Sequence, residues 1–293
     1  MEANDGPVIR RLDHRDLDVD ALVAAKRVTT SVCLPARDEA ATVGEIVTRI
    51  ASHPLVDEVV VVDDHSSDGT DEAAAAAGAR VVRAADVLVE HGSGPGKGQA
   101  LWKGVASSTG DVVAFCDADL RDFQPHFVTG LLGPFIAEPD VGFVKAYYHR
   151  GIDGSPRGGG RVTELVARPV LALLFPELAD VVQPLAGEFA ARRDVLEALP
   201  FVEGYGVDIG LLIDAARHCG VDRLVQVDLG VRKHRNRPLD DLGPMATVVL
   251  MTALQRAGVS LPDAVWLDRV EFDATEVRYA ERPPLSTLAS RDR

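Results

Sequence analysis

The sequence predicts an α/β fold in which helices cover both faces of a mostly parallel, doubly wound sheet. Two observations carry that expectation. Short β-branched runs alternate with stretches of helical length, and the runs are apolar at consecutive rather than alternate positions, as in strands covered on both faces. Several of these runs end in carboxylates, and ligands of such sheets bind at the carboxyl ends of the strands. The 293 residues hold no internal repeat and no long linker, so we read one continuous unit.

In chain order, residues 1–28 are a charged N-terminal extension with a short amphipathic helix over 18–26. Residues 30–35 form a first strand, followed by the loop Pro35, Ala36, Arg37, Asp38, Glu39. Thr42 and Glu45 have capping-box spacing and open a helix to Ile50. A second strand, 58–63, runs into Asp63 and Asp64, and the alanine-rich helix after it stops at Gly78, a suitable C-terminal cap. A short strand at 79–83, a glycine-rich loop at 92–98 and a helix over 99–107 come next. Residues 111–117 form a strand whose side-chain period of two puts Asp117 and Asp119 on one side. A helix over 125–137 and a strand over 141–146 complete the regular half. Beyond it we expect helices at 158–175, 192–199, 207–219 and 245–257, and strands at 223–229 and 265–272. The tail from 279 is polar and contains prolines, and is expected to be mobile.

A net charge of −14 argues against a nucleic-acid backbone or an acidic membrane surface as partner, so an anionic ligand needs a locally basic pocket or a metal. The three cysteines, Cys33, Cys116 and Cys219, have no CxxC spacing, which suggests neither a disulfide framework nor a zinc site and fits a reducing cytoplasm. The first residues are too polar for a signal peptide, and no apolar run reaches the length of a membrane span. A cytoplasmic setting is expected.

The chemistry is concentrated in six places. Asp117 and Asp119 repel each other unless a cation or donors stabilise them; a divalent metal bound through oxygen, with phosphates completing its shell, is the simplest solution, and a polar strand end with an Asp cap is the plain alternative. Asp63-Asp64 suits a ribose or base, or an Asx turn. The 92–98 loop is no Walker A motif, because His91 and Gly98 stand where its first Gly and its Ser/Thr belong. It leaves Lys97 at a helix N-terminus, placed for a diphosphate or on a plain surface loop. Gly158 to Gly160 with Arg161 and Thr163 suit a phosphate or carboxylate. Arg232, Lys233, His234, Arg235, Asn236 and Arg237 form a cationic knot that needs an anion, with His234 suited to complete a metal shell with Asp119. Finally, Tyr205 lies between two glycines, and Asp208 opens an apolar helix.

Taken together, these motifs resemble the GT-A nucleotide-sugar glycosyltransferases, most closely the actinobacterial glucosyl-3-phosphoglycerate synthases. The matching blocks are LPA at 34–36, GPGKG at 94–98, DAD at 117–119, GGGRVTELVARP at 158–169, QPLAGE at 183–188, GYGV at 204–207 and GVRKHRNRPL at 230–239. The resemblance implies a GT-A fold with a nucleotide-sugar-binding half at 29–150, an acceptor-binding half at 151–278 and a tail at 279–293. It also implies the roles. Asp119 and His234 would bind Mg²⁺ or Mn²⁺. Pro35, Ala36, Glu39, Asp64 and Asp117 would line the uridine and ribose, with Lys97, Tyr205 and Arg237 on the donor side. Gly160, Arg161, Thr163 and Asn236 would hold 3-phosphoglycerate. Arg232 would neutralise charge near the diphosphate, and Leu185, Glu188 and Asp208 would lie beside the sugar. Three departures from the family pattern stand out: Ala118 where Ser is usual, Asp208 where Glu is usual, and the pair Arg37-Asp38 where Leu-Asn is usual.

The implied activity is retaining transfer of glucose from UDP-glucose to the 2-hydroxyl of D-3-phosphoglycerate by a cytoplasmic homodimer. Three alternatives stay open: mannosyl transfer from GDP-mannose to the same acceptor, inverting transfer to a polyprenyl phosphate, and a nucleotide-sugar-binding protein without catalysis.

Overall fold

The structure, a computed structural model, describes residues 8–92, 96–149, 151–152, 155–158, 160–231, 239–270 and 272–288. Its centre is an eight-stranded sheet in the order β1-β11-β6-β9-β5-β2-β3-β4. The elements in chain order begin with β1 (Arg10–Asp13), α1 (Val19–Ala25), β2 (Thr30–Ala36), α2 (Val43–Ala51), β3 (Glu58–Asp63), α3 (Thr70–Ala76) and β4 (Arg80–Arg83). Then come α4 (Lys97–Ser107), β5 (Val112–Phe115), α5 (Pro125–Ala137) and β6 (Phe143–His149). A small ribbon, β7 (Gly151–Ile152) with β8 (Ser155–Gly158), precedes α6 (Arg168–Leu174), β9 (Phe189–Arg192), α7 (Arg193–Ala198), β10 (Phe201–Val202), α8 (Val207–Cys219) and β11 (Leu224–Val231). The chain closes through α9 (Leu239–Arg256), β12 (Ala264–Arg269), β13 (Phe272–Arg278) and β14 (Glu281–Arg282).

All sheet pairings are parallel except those of β9, which runs against both β5 and β6. The carboxyl ends of the other strands therefore share one edge, and the residues leading into β9 start from that same edge. This reversal positions Glu188: Phe189 pairs with Phe115 on one side and Lys145 on the other. The sheet separates two apolar layers, with Val113 and Phe115 facing one and Val112 and Ala114 the other. Burial on both faces is why these strands read as unbroken apolar runs.

Three expectations change. Residues 10–13, expected in a charged extension, form an edge strand parallel to β11, because Leu12 and Leu22 reach the apolar layer while the arginines stay outside. The strand expected at 265–272 is the antiparallel hairpin β12–β13. The described part of the tail, to residue 288, is also held in place. β14 pairs with β10, the Trp102 indole N–H donates to Pro283 O at 2.9 Å, and Leu285 is buried. Arg282 then ties three segments together: it donates to His91 O and to Gln99 Oε1 and pairs with Glu203 at 2.9 Å. A polar tail concealed these contacts because its partners lie 79 or more residues away in sequence.

Candidate active site

Parallel topology gathers the loops after β2, β3 and β5 at one edge, and a cavity of about 460 Å³ opens there. Pro35, Ala36, Arg37 and Glu39 line it from the first loop, and Asp64 from the second. Asp117, Ala118 and Asp119 come from the third, Gly96, Lys97 and Ala100 from the start of α4, and Gly204 and Tyr205 from the turn before α8. The residues assigned to nucleotide and ribose thus meet in one place.

The local reasons differ from those expected. β5 ends at Phe115, so Asp117 and Asp119 lie on the turn beyond it, and the turn rather than strand alternation brings both to the cavity. The Thr42–Glu45 capping box does not form. Thr42 makes no cap bond; its hydroxyl donates to Ala118 O at 2.7 Å, which fastens α2 to the aspartate turn. Gly187 supplies the space. A Cβ there would lie 2.5 and 2.6 Å from the two carboxylate oxygens of Asp117. Asp64 already has partners, since Gly96 N–H donates to its Oδ2 at 3.0 Å and His65 Nδ1 lies 3.1 Å from its Oδ1. The carboxylate assigned to ribose therefore also anchors the glycine-rich loop.

Lys97 joins the two sides of the site. Its ammonium lies 3.4 Å from Asp117 Oδ1 and 3.3 Å from Asp208 Oδ2. Burial by itself would lower its pKa, but the charges of Asp117, Asp208 and Glu188 outweigh burial and raise it well above the usual lysine range. Asp208 stands in the first turn of α8, where the helix dipole favours a carboxylate; its Oδ1 is buried with no hydrogen-bond partner among the described residues. Glu188 is fully buried, and Tyr148 O–H donates to its Oε2 at 3.0 Å.

Of the residues read as lying beside the sugar, Glu188 and Asp208 sit behind Lys97 rather than in the cavity wall, and Leu185 packs against the apolar core. Gly160, Arg161 and Thr163 begin the helical segment that leads through a π turn, Thr163–Ala167, into α6. None of the three lines the cavity, and Thr163 is buried. Arg232, His234, Asn236 and Arg237 lie outside the described residues. Among the described residues no group of three or more His, Cys, Asp or Glu side chains is placed to hold a metal, and no helix is long and apolar enough to cross a membrane. Sequence reading missed Thr42, which it took for a cap, Gly187, quoted within a motif without a role, and Lys145, hidden in an apolar strand.

The family described as Glycosyl transferase family 2 matches residues 31–199, so the sheet and its carboxylate-lined edge are those of a glycosyltransferase. The glucosyl-3-phosphoglycerate synthase of Mycolicibacterium smegmatis is 46% identical over 287 residues, covering 94% of this chain and 94% of that protein. A crystal structure of the Mycobacterium tuberculosis glucosyl-3-phosphoglycerate synthase in complex with Mn²⁺, UDP-glucose and phosphoglyceric acid superposes with a TM-score of 0.84 at 46% identity, covering 92% of this chain and 94% of that one. The mannosyl-3-phosphoglycerate synthase of Rubrobacter xylanophilus superposes with a TM-score of 0.85 at 38% identity, covering 94% and 96%. The chain belongs to the glucosyl-3-phosphoglycerate synthase family.

Proposed function

We propose that this protein transfers glucose from UDP-glucose to the 2-hydroxyl of D-3-phosphoglycerate with retention at the anomeric carbon. The observation that carries the reading is Lys97, whose ammonium joins Asp117 in the cavity wall to Asp208 behind it. In this reading residues 29–150 bind the nucleotide sugar. Pro35, Ala36, Glu39, Asp64 and Asp117 take the uridine and ribose, and Tyr205 closes the donor side. Residues 151–278 bind the acceptor, with Gly160, Arg161, Thr163 and Asn236 on its phosphate and carboxylate and Arg232 and Arg237 near the diphosphate. Glu188 and Asp208, beside the Leu185 backbone, receive the sugar hydroxyls, which requires Lys97 to turn from Asp208 towards the diphosphate as the donor enters.

Asp117 and Asp119 present oxygen donors to the same cavity, a set that suits Mg²⁺ or Mn²⁺ in company with phosphate oxygens. Asp119 and His234 would hold the ion. When bound, it neutralises charge on the departing diphosphate. The reaction breaks the bond from glucose C1 to the β-phosphate oxygen and forms one from C1 to the acceptor 2-oxygen on the same face. The acceptor hydroxyl proton passes to the departing phosphate oxygen, and UDP leaves. Steady accumulation of a glycosyl-enzyme adduct would contradict this front-face route.

The 38% identity to a mannosyl-3-phosphoglycerate synthase favours GDP-mannose as the second donor reading. We place the protein in the cytoplasm as a homodimer, as the family resemblance implies. UDP release with UDP-glucose, Mg²⁺ and 3-phosphoglycerate tests the reading. Release that needs the acceptor, and that falls about 100-fold or more in Asp119→Ala and Arg161→Ala, is expected. Release with GDP-mannose alone would change the donor, and equal release without acceptor would refute transfer.

A further inference from the structure

Behind the cavity lies a second lysine that the roles above do not use. Lys145, on β6, is 2% exposed. Its ammonium sits 5.4 Å above the Phe189 ring and donates to the backbone carbonyl of Asp208 at 3.5 Å. The charged groups facing it come from four segments: Asp208 on α8, Lys97 on α4, Glu188 ahead of β9 and Asp117 beyond β5. β11, its strand neighbour, contributes the uncharged Gln226. Lys145 and Lys97 thus act on the same three carboxylates, two of which Lys97 contacts directly.

The geometry points to Lys145 as a positioning residue for the glucosyl half of the donor, the cation that remains against Asp208 and Glu188 once Lys97 turns to the diphosphate. This inference rests on the function proposed above. Without Lys145, two buried carboxylates would face the sugar with no cation behind them, a state that favours protonation or displacement of one. Their hydrogen-bond acceptance from sugar hydroxyls would weaken, whereas nucleotide contacts in the cavity would stay unchanged.

Protonation of Lys145 gives this arrangement a pH dependence of definite sign. Burial pushes its pKa down to about 8; Lys97 adds to that, and Asp208, Glu188 and Asp117 offset it only partly. Support for the carboxylates is present below that value and lost above it. Stability runs the other way. The unfolded lysine holds its proton to about 10.4, so the contribution of this group to stability rises with pH across that window. A loss of sugar binding there is not unfolding caused by Lys145.

The test compares UDP with UDP-glucose, which differ only in the sugar, by calorimetry in Mg²⁺ from pH 7 to 9.5. For the wild-type protein the affinity for UDP-glucose falls about tenfold through pH 8 while that for UDP holds. Lys145→Met weakens UDP-glucose about tenfold at pH 7, spares UDP and abolishes the pH step. Lys145→Arg keeps the affinity at pH 7 and also lacks the step. Equal weakening of both ligands, wild-type affinity in Lys145→Met, or a step that persists in it would overturn the proposal. Should Lys145→Met not fold, the absence of a step in the wild-type protein does the same. Failure of glucose transfer by the wild-type protein would instead sink the functional reading, and the comparison would then use whichever nucleotide sugar it binds.

Discussion

Lys97→Met lowers kcat/KM for UDP-glucose by about 10²–10³-fold, the scale on which a positioned charge at a departing group acts. The same substitution destabilises the fold. Asp208 is 5% exposed in its side chain, already has one unpartnered oxygen, and would lose the 3.3 Å ion pair at the other. Stranding a buried charge of this kind costs about 3–5 kcal/mol. Urea denaturation measures that cost, and steady-state kinetics measures the rate loss. The double variant Lys97→Met/Asp208→Asn removes the stranded charge and, with it, a residue assigned to the sugar. Stability returns in the double variant and activity does not. Recovery of both would show that Lys97 serves the fold alone, and near-wild-type kinetics in the single variant would remove it from the donor site.

The second large effect belongs to a residue with no side chain. Gly187→Ala places a Cβ 2.5 Å from Asp117 Oδ1 and 2.8 Å from Asp117 Cγ, so the carboxylate has to move. The backbone does not yield easily. Ala186 N–H donates to Gln183 O at 3.1 Å, and Ala146 N–H donates to Glu188 O at 3.1 Å. Displacing Asp117 breaks its 3.4 Å pair with Lys97 and reshapes the cavity wall. We expect kcat/KM to fall at least 100-fold, with a loss of stability of about 1–3 kcal/mol from overpacking. Gly44→Ala is the control. Its Cβ would meet Ala73 O at 3.6 Å, an ordinary contact, and its activity stays within twofold of wild type. Full activity in Gly187→Ala would mean that the position of Asp117 is not critical.

These two residues also mark how far the sequence could be read. Lys97, Asp64, Glu39, Asp117 and Asp119 were legible because a parallel sheet brings its strand ends to one edge, so local motifs after successive strands converge without further information. The role of Gly187 was not legible. It depends on β9 running backwards between β5 and β6, and β5 pairs with residues 74 to 80 positions away, which no local pattern records. Lys145 was hidden for a related reason: within a run such as FVKAYYH it reads as one polar residue in a strand, and only the β9 and α8 neighbours give it meaning. Thr42 had the right spacing for a cap, yet the Ala118 carbonyl beyond β5 won its hydroxyl. The C-terminal segment misled through composition, since polar, proline-containing residues do not announce a Trp102 or an Arg282 contact. The acceptor side, by contrast, rests on the family blocks at 158–169 and 230–239 and on the functional proposal.

The linkage and configuration of the product decide the function. The protein incubated with UDP-glucose, Mg²⁺ and 3-phosphoglycerate gives a product whose linkage and anomeric configuration are read directly by NMR. The expected product is an α-glucosyl group on the 2-oxygen of 3-phosphoglycerate, absent when either substrate is left out. Free glucose with UDP, a β-linked product, or glucose attached elsewhere than the 2-oxygen would contradict it.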